Sequence, residues 1–285
     1  MTNGDAVVSV IGICSRNRPL DLKRCLEAVA KSCHPGQLII VVDSSDDDAS
    51  EEVCNRLKFS GMNLVFYRAG IGLTLQRNFL IKNLPKNCNI LHFIDDDSVV
   101  EPDYFKEIES TFHNNEDAVA VGGRILNLPR HTWTLTQRIF LVSSKRQGVV
   151  LPSGVNIMNF TGAGVREVDW LSGCSMSFRT TIFSAISFDL NRPGNGVGED
   201  VDFCLKAKAI GKILWTPHAS QQHLQSPVNR LKHKELRRKV LDHRLRLAKD
   251  QLGGVVRLFV YTAFYFETIR SSIRPVAKRL LRWRG

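Results

Sequence analysis

The sequence has no CxxC pair among its seven cysteines, no run of 18 apolar residues, no GxGxxG and no internal repeat. Each absence closes a class. Cys14, Cys25, Cys33, Cys54, Cys88, Cys174 and Cys204 are odd in number and lack paired spacing, so neither a disulfide framework nor a zinc site is indicated. Several fall in apolar strand or helix patterns, where a thiol behaves as a small hydrophobe, and this fits a reducing cytosol. Without an apolar run of about 18 residues, nothing reads as a membrane-spanning helix. The polar opening Met1 to Asp5 does not read as a signal peptide. Gly12-Ile13-Cys14-Ser15 does not continue as a dinucleotide-binding glycine loop, which argues against a dehydrogenase.

Net positive charge is missing from most of the chain. Of 39 basic and 28 acidic residues, 16 and 4 lie in Val228 to Gly285, a net +12. That leaves 23 against 24 elsewhere, a net −1. A nucleic-acid-binding protein would have to rely on the tail, because no basic face is apparent outside it.

What is there is an alternation. Ala6 to Cys14, Gln37 to Val42, Asn63 to Tyr67 and Asn89 to Ile94 are apolar runs of strand length. Between them, helical patterns carry Leu20, Leu22, Leu26 and Val29, then Ala49 to Leu57, then Leu73 to Leu84. Strands alternating with helices of this length imply right-handed βαβ units and a mostly parallel sheet flanked by helices. Pro102 to His113 reads as a further helix and Ala118 to Val121 as a strand. A long excursion runs from Asn127 to Thr161. Val168 to Phe178 reads as strand, the stretch after Gly198 as helix, Lys212 to Trp215 as strand, and Leu231 onward as basic helix.

The organising stretch is Asn89 to Ser98, a strand that ends in Asp95-Asp96-Asp97. In an open α/β sheet, ligands bind at the carboxyl ends of strands. Three adjacent carboxylates repel one another unless a cation sits among them. Hard oxygen ligands suit Mg²⁺ or Mn²⁺, and those ions suit a diphosphate. The plainer alternative is an acidic turn that caps the next helix.

Taken in order, the motifs are Ser15-Arg16-Asn17-Arg18-Pro19, Asp43-Ser44-Ser45, Gln76-Arg77-Asn78, the Asp triplet, Trp170-Leu171-Ser172-Gly173, Glu199-Asp200 and His223. In this order the chain resembles the inverting family 2 glycosyltransferases of the GT-A fold, most of all the bacterial members that build cell-surface polysaccharides. The resemblance spans roughly residues 6 to 226. Charge and apolar pattern make 227–285 a basic, amphipathic helical extension, and the resemblance implies a Rossmann-like catalytic domain over 1–226. It also implies a nucleotide-diphosphate sugar donor and a hydroxyl acceptor on a glycan or lipid-linked glycan.

Residue by residue, the resemblance assigns Asp43 to the nucleotide base. Ser15, Arg16, Asn17 and Arg18 approach the nucleotide, and Asp95 and Asp96 face the ribose and the sugar. Asp97 and His223 are the expected ligands of Mn²⁺ or Mg²⁺, with His218 a weaker rival. Arg77 and Asn78 belong to the donor site; Arg77 bonds either the diphosphate or an active-site carboxylate. Asp200 matches the base that takes the acceptor proton, with Glu199 its neighbour, and a like charge next door tends to raise one of two carboxyl pKa values. Trp170, Leu171, Ser172 and Gly173 shape the sugar and acceptor pocket, although a core Trp is an equal reading. A nucleotidyltransferase is the nearest rival enzyme. It would need a glycine-rich basic loop after the first strand, and Ser15 to Pro19 has no glycine.

The tail mixes arginine with Phe259, Tyr261, Phe264, Tyr265, Phe266 and Trp283. Basic amphipathic helices lie on anionic membrane surfaces. The expected location is therefore cytoplasmic and peripheral, at the inner face of the cell membrane. Nucleic acid is not an expected partner. The sugar, the nucleotide base, the acceptor and the oligomeric state are not legible.

Overall fold

The computed structural model describes residues 8–128, 134–158, 161–192, 194–250 and 258–269. In chain order its regular elements are β1 (Ser9–Ser15), α1 (Pro19–Ser32), β2 (Leu38–Asp43), α2 (Ala49–Phe59), β3 (Leu64–Arg68), α3 (Leu73–Lys82), β4 (Ile90–Asp95), β5 (Ser98–Val100), α4 (Tyr104–His113), β6 (Ala118–Ile125), α5 (Leu135–Ile139), β7 (Arg166–Glu167), β8 (Ser175–Arg179), α6 (Glu199–Lys208), β9 (Lys212–His223) and α7 (His233–Asp250). A last helix covers 258–269. The chain divides into two compact units: residues up to Pro129 together with Phe160–Leu231, and Arg130–Asn159 together with Lys232–Gly285.

The first unit is a mixed sheet in the order β3-β2-β1-β4-β8-β6-β9-β5, with β7 paired to β9. β3, β2, β1 and β4 run parallel to their neighbours. β1 is buried along nearly its whole length, as expected of a parallel strand covered on both faces. α1 begins with Pro19, whose fixed φ suits a first helical turn. It buries Leu22, Cys25, Leu26 and Val29, one stripe at helical spacing. α4 presents Tyr104, Phe105, Ile108 and Phe112 to the same core. Fully burying one such large apolar side chain contributes roughly 1.5–3 kcal/mol.

Two strands depart from the sequence expectation. β8 begins only at Ser175, so Trp170 to Gly173 is irregular chain that leads into it. β9 does not stop at Trp215 but continues for 12 residues to His223. Pro217 lies inside it, a position that a regular central strand excludes. The sheet accommodates it with a bulge. Pairing of β6 with β9 jumps from Gly122↔Trp215 to Arg124↔Ser220, leaving the residues around Pro217 outside the ladder.

The second unit gathers α5, the bridge between Val150 and Asn156, α7 and helix 258–269. Its small core is Val142, Val149, Val155, Ile157 and Ala263, with Leu151 and Phe266 packed against it. Phe140 stacks on Phe266 at 4.3 Å between ring centroids, and Arg244 pairs with Glu267 at 2.5 Å. Of the tail expected to be helical, 251–257 and 270–285, which include Trp283, lie outside the described residues. No helix among the described residues is long and apolar enough to cross a membrane.

Candidate active site

Strand register builds the site. The pairs Ser15↔Asp43 and Cys14↔Asp95 bring the carboxyl ends of β1, β2 and β4 to one edge. β8 runs antiparallel to β4 with Ile94 opposite Ser175, so Asp95 and Cys174 come next along that edge. β5 pairs antiparallel with β9, Ser98 opposite His223, which sets His223 beside the end of the Asp triplet.

Asp97 is the most enclosed of the three carboxylates, 1% exposed. His223 Nε2 lies 3.0 Å from its Oδ1; Ser226 N donates to its Oδ2 at 2.9 Å, and Arg230 and Arg18 reach the same oxygen at 3.3 and 3.7 Å. Burial alone would raise the Asp97 pKa, but the His223 hydrogen bond and these charges bring it below the usual range. Burial opposes charge on His223, yet the bonds to Asp97 and Cys174 and the charge of Asp95 push its pKa up to about 11. Asp96 is turned inward, held by Ser15 Oγ at 2.9 Å and Arg18 Nη1 at 2.9 Å. Burial, partly offset by Arg18, pushes its pKa up to about 7. Asp95 is the partly exposed member, and its Oδ2 lies 4.0 Å from His223 Nε2.

Asp95, Cys174 and His223 place one ligand atom each within 4.8 Å of one another, a group that could hold a metal ion; Asp97 is outside that group and touches it through His223. Cys174 was read in the sequence only as a small hydrophobe, because nothing there showed that β8 runs antiparallel and begins at the rim. Arg230 and Ser226 were likewise missed; they sit in irregular chain with no motif. His218, the rival ligand, is exposed on the β9 bulge and outside this group.

Across the rim, Gly198 takes φ 77° just before α6, a conformation that favours glycine and sets Glu199 and Asp200 at the helix start. Arg77 is buried between Phe93 and Phe188, 5.5 and 5.4 Å from their ring centroids. It bonds Glu199 Oε1, the Gly173 carbonyl at 3.1 Å and Asp95 Oδ1 at 3.4 Å. Burial and the charge of Asp200 raise the Glu199 pKa, against the pull of Arg77; burial also raises Asp200. Asp200 is half-buried and accepts from Gly173 N at 3.1 Å and Val201 N at 2.8 Å. A Cβ on Gly173 would lie 3.0 Å from both the Arg77 guanidinium and Glu199 Oε1.

The remaining expected site residues have the following surroundings. Arg77 reaches the carboxylates of Glu199 and Asp95 and the Gly173 carbonyl. Asn78 exchanges both amide bonds with the Phe188 backbone, at 2.9 and 3.0 Å, and so pins the chain before Arg192. Asp43 is fully buried and accepts from Ser45 N and Oγ, both at 2.8 Å; it holds the turn after β2. Trp170 and Leu171 are core residues, 0% and 1% exposed, so no indole face is offered to a sugar. Ser172 and Gly173 remain at the rim beside Cys174 and Arg77. Asn17 N donates to Ser45 Oγ and its side chain brackets Asp46, and Arg16 pairs with Asp46 at 3.5 Å.

A family model described as glycosyl transferase family 2 matches residues 10–170. The chain is 29% identical over 104 residues to glycosyltransferase GlyA of Streptococcus pneumoniae serotype 4 (strain ATCC BAA-334 / TIGR4), covering 35% of this chain and 14% of that protein. A crystal structure of GalNAc-T7 with UDP, GalNAc and Mn²⁺ superposes with TM-score 0.67 at 14% identity, over 88% of this chain and 49% of that one. S. aureus TarS 1–349 in complex with UDP-GlcNAc superposes with TM-score 0.57 at 15% identity, over 90% and 73%. The chain thus spans about one seventh of the pneumococcal relative and about half of GalNAc-T7.

Proposed function

The chain belongs to glycosyl transferase family 2 and has the GT-A architecture, and we propose that it is a metal-dependent, inverting enzyme. It moves a hexosyl or deoxyhexosyl unit from a nucleotide-diphosphate sugar to a hydroxyl of a glycan or lipid-linked glycan, in the synthesis of cell-surface polysaccharide. The observation that carries this reading is the convergence on one sheet edge of Asp95, Asp97 and His223, with Glu199 and Asp200 opposite and Arg77 between. The solved neighbours bound to UDP or UDP-GlcNAc support the donor class.

Asp97 and His223 would hold the Mn²⁺ or Mg²⁺, which when bound supplies positive charge against the leaving nucleotide diphosphate. The remaining work falls to the chain. Arg77 holds Glu199 and so leaves Asp200 free to face the acceptor. The Asp200 carboxylate takes the acceptor proton as the acceptor oxygen bonds the anomeric carbon and the bond to the diphosphate breaks. Attack from the face opposite the leaving group inverts that centre. Arg18, bonded to Asp96 and to the Val228 carbonyl at 2.6 Å, ties the chain after β9 over the same edge.

Thermal unfolding tests the donor and metal together. At about a hundredfold excess over Kd, a ligand adds about 2.7 kcal/mol to the folded state, which in a chain of this size raises Tm by roughly 5–10 °C. We expect that rise with the matching nucleotide sugar plus Mn²⁺, and little with either alone. An equal rise with a metal-free donor would remove the metal from the reading.

The membrane role is part of the same proposal. On helix 258–269, Leu258, Tyr261, Tyr265 and Ile269 are exposed and share one stripe at helical spacing, while Val260 and Ala263 are buried. α7 supplies arginine and lysine, each worth about 1 kcal/mol near an anionic surface. Serine at Leu258, Tyr261 and Tyr265 spares Ala263 and Phe266 of the small core. This variant should lose the salt-resistant part of co-sedimentation with anionic vesicles and keep transfer to a short soluble acceptor. Wild-type protein that ignores such vesicles, or binds duplex DNA more tightly, would sink the membrane assignment.

A further inference from the structure

We propose that Cys174 is a metal ligand, completing with Asp95 and His223 a mixed oxygen, sulfur and nitrogen site. This site would give the donor edge a preference for softer divalent cations over Mg²⁺. The inference rests on the reading that this edge takes a divalent ion, and adds a residue and a selectivity to it.

The register of β4 against β8 carries Cys174 to Asp95, and the pairing of β5 with β9 brings His223 to both. The three ligand atoms lie within 4.8 Å of one another. Ions bound at about 2.0–2.3 Å per ligand need such spacing, closed slightly by side-chain rotation. Cys174 is 1% exposed and firmly placed: Gln221 Nε2 donates to its carbonyl at 2.7 Å, and Ser172 Oγ lies 3.4 Å from its sulfur. Its neighbour Ser175 is bonded to Tyr104 at 2.6 Å.

Other buried thiols are used differently. Cys25 bonds the Asp95 carbonyl, Cys88 the Ile90 carbonyl, and Cys204 accepts from Leu171 N. Cys174 Sγ lies beside Ser172 Oγ and within 4.8 Å of ligand atoms of Asp95 and His223. Mg²⁺ is served by oxygen ligands and gains little from sulfur, whereas thiolate favours softer ions. On ligation the Cys174 thiol gives its proton to solvent and forms one metal–sulfur bond, with no change of oxidation state.

Co²⁺ and Cd²⁺ are the probes, titrated into the full chain with UDP present. A sulfur-to-cobalt charge-transfer band is expected in the wild type and should vanish in Cys174→Ser and Cys174→Ala. Cd²⁺ affinity should fall at least about 10–100-fold in both variants, the scale for losing even an outer partner of a ligand, while Mg²⁺ affinity stays within about twofold. If neither variant folds, the cadmium-113 resonance of the wild type decides, one sulfur ligand being expected and an all-oxygen-and-nitrogen shift overturning the proposal. Wild-type Co²⁺ binding without a thiolate band would overturn it and leave the metal-dependent reading standing. No Co²⁺ or Mn²⁺ binding at all would overturn both.

Discussion

Asp97→Ala is expected to abolish sugar transfer and to remove the metal-dependent part of nucleotide binding. The effect should be large for two separate reasons. Asp97 is the carboxylate on which His223, Ser226 N, Arg230 and Arg18 all converge, and it is a proposed ligand of the divalent ion. Its removal also leaves the Ser226 N–H without its acceptor, at about 1–3 kcal/mol for a buried group left unpaired. The two consequences separate experimentally. Asp97→Asn keeps the volume and one acceptor oxygen, so it should melt closer to wild type and still lose metal-dependent UDP binding in calorimetry. Full turnover in either variant, or wild-type turnover in chelator, would contradict the assignment.

Asp200→Asn is expected to lower kcat by about 10²–10⁴-fold, the range for a missing general base, with donor binding little changed. An interaction made only in the transition state shows itself in this way. The pH profile adds a second readout. A base works deprotonated, and burial raises the Asp200 pKa. Wild-type kcat should therefore fall as pH is lowered, from a point above the ordinary carboxylate range, and the variant's residual rate should be flat there. Glu199 shares the titration, so the inflection belongs to the pair. If donor affinity collapses while kcat survives, Asp200 is a binding residue.

Much of the parallel half of the sheet was legible because its determinants are local. Unbroken apolar runs before Ser15, Asp43 and Asp95, separated by helical stripes, leave few other arrangements. The antiparallel half was not. Lys212 to Trp215 alone reads as strand, and only the β6 register shift shows how β9 continues past Pro217. With β9 cut short, His223 looked like a loop residue, and its pairing with Ser98 was invisible. Trp170 could be core or platform from sequence, because burial is decided by chain far away. Cys174 was hidden for the same reason: its meaning depends on which residue of β4 it lies opposite.

The division of the second unit has a consequence in time. Residues 130–159 supply Val142, Val149, Val155 and Ile157, while Ala263 and Phe266 come from helix 258–269. Roughly 100 residues separate the two contributions, and at about 5–20 residues per second of synthesis that is a wait of about 5–20 s. During it, the first valines and isoleucine of this core have no lid. Nascent chains stalled between 160 and 250 should therefore show residues 134–158 open to protease.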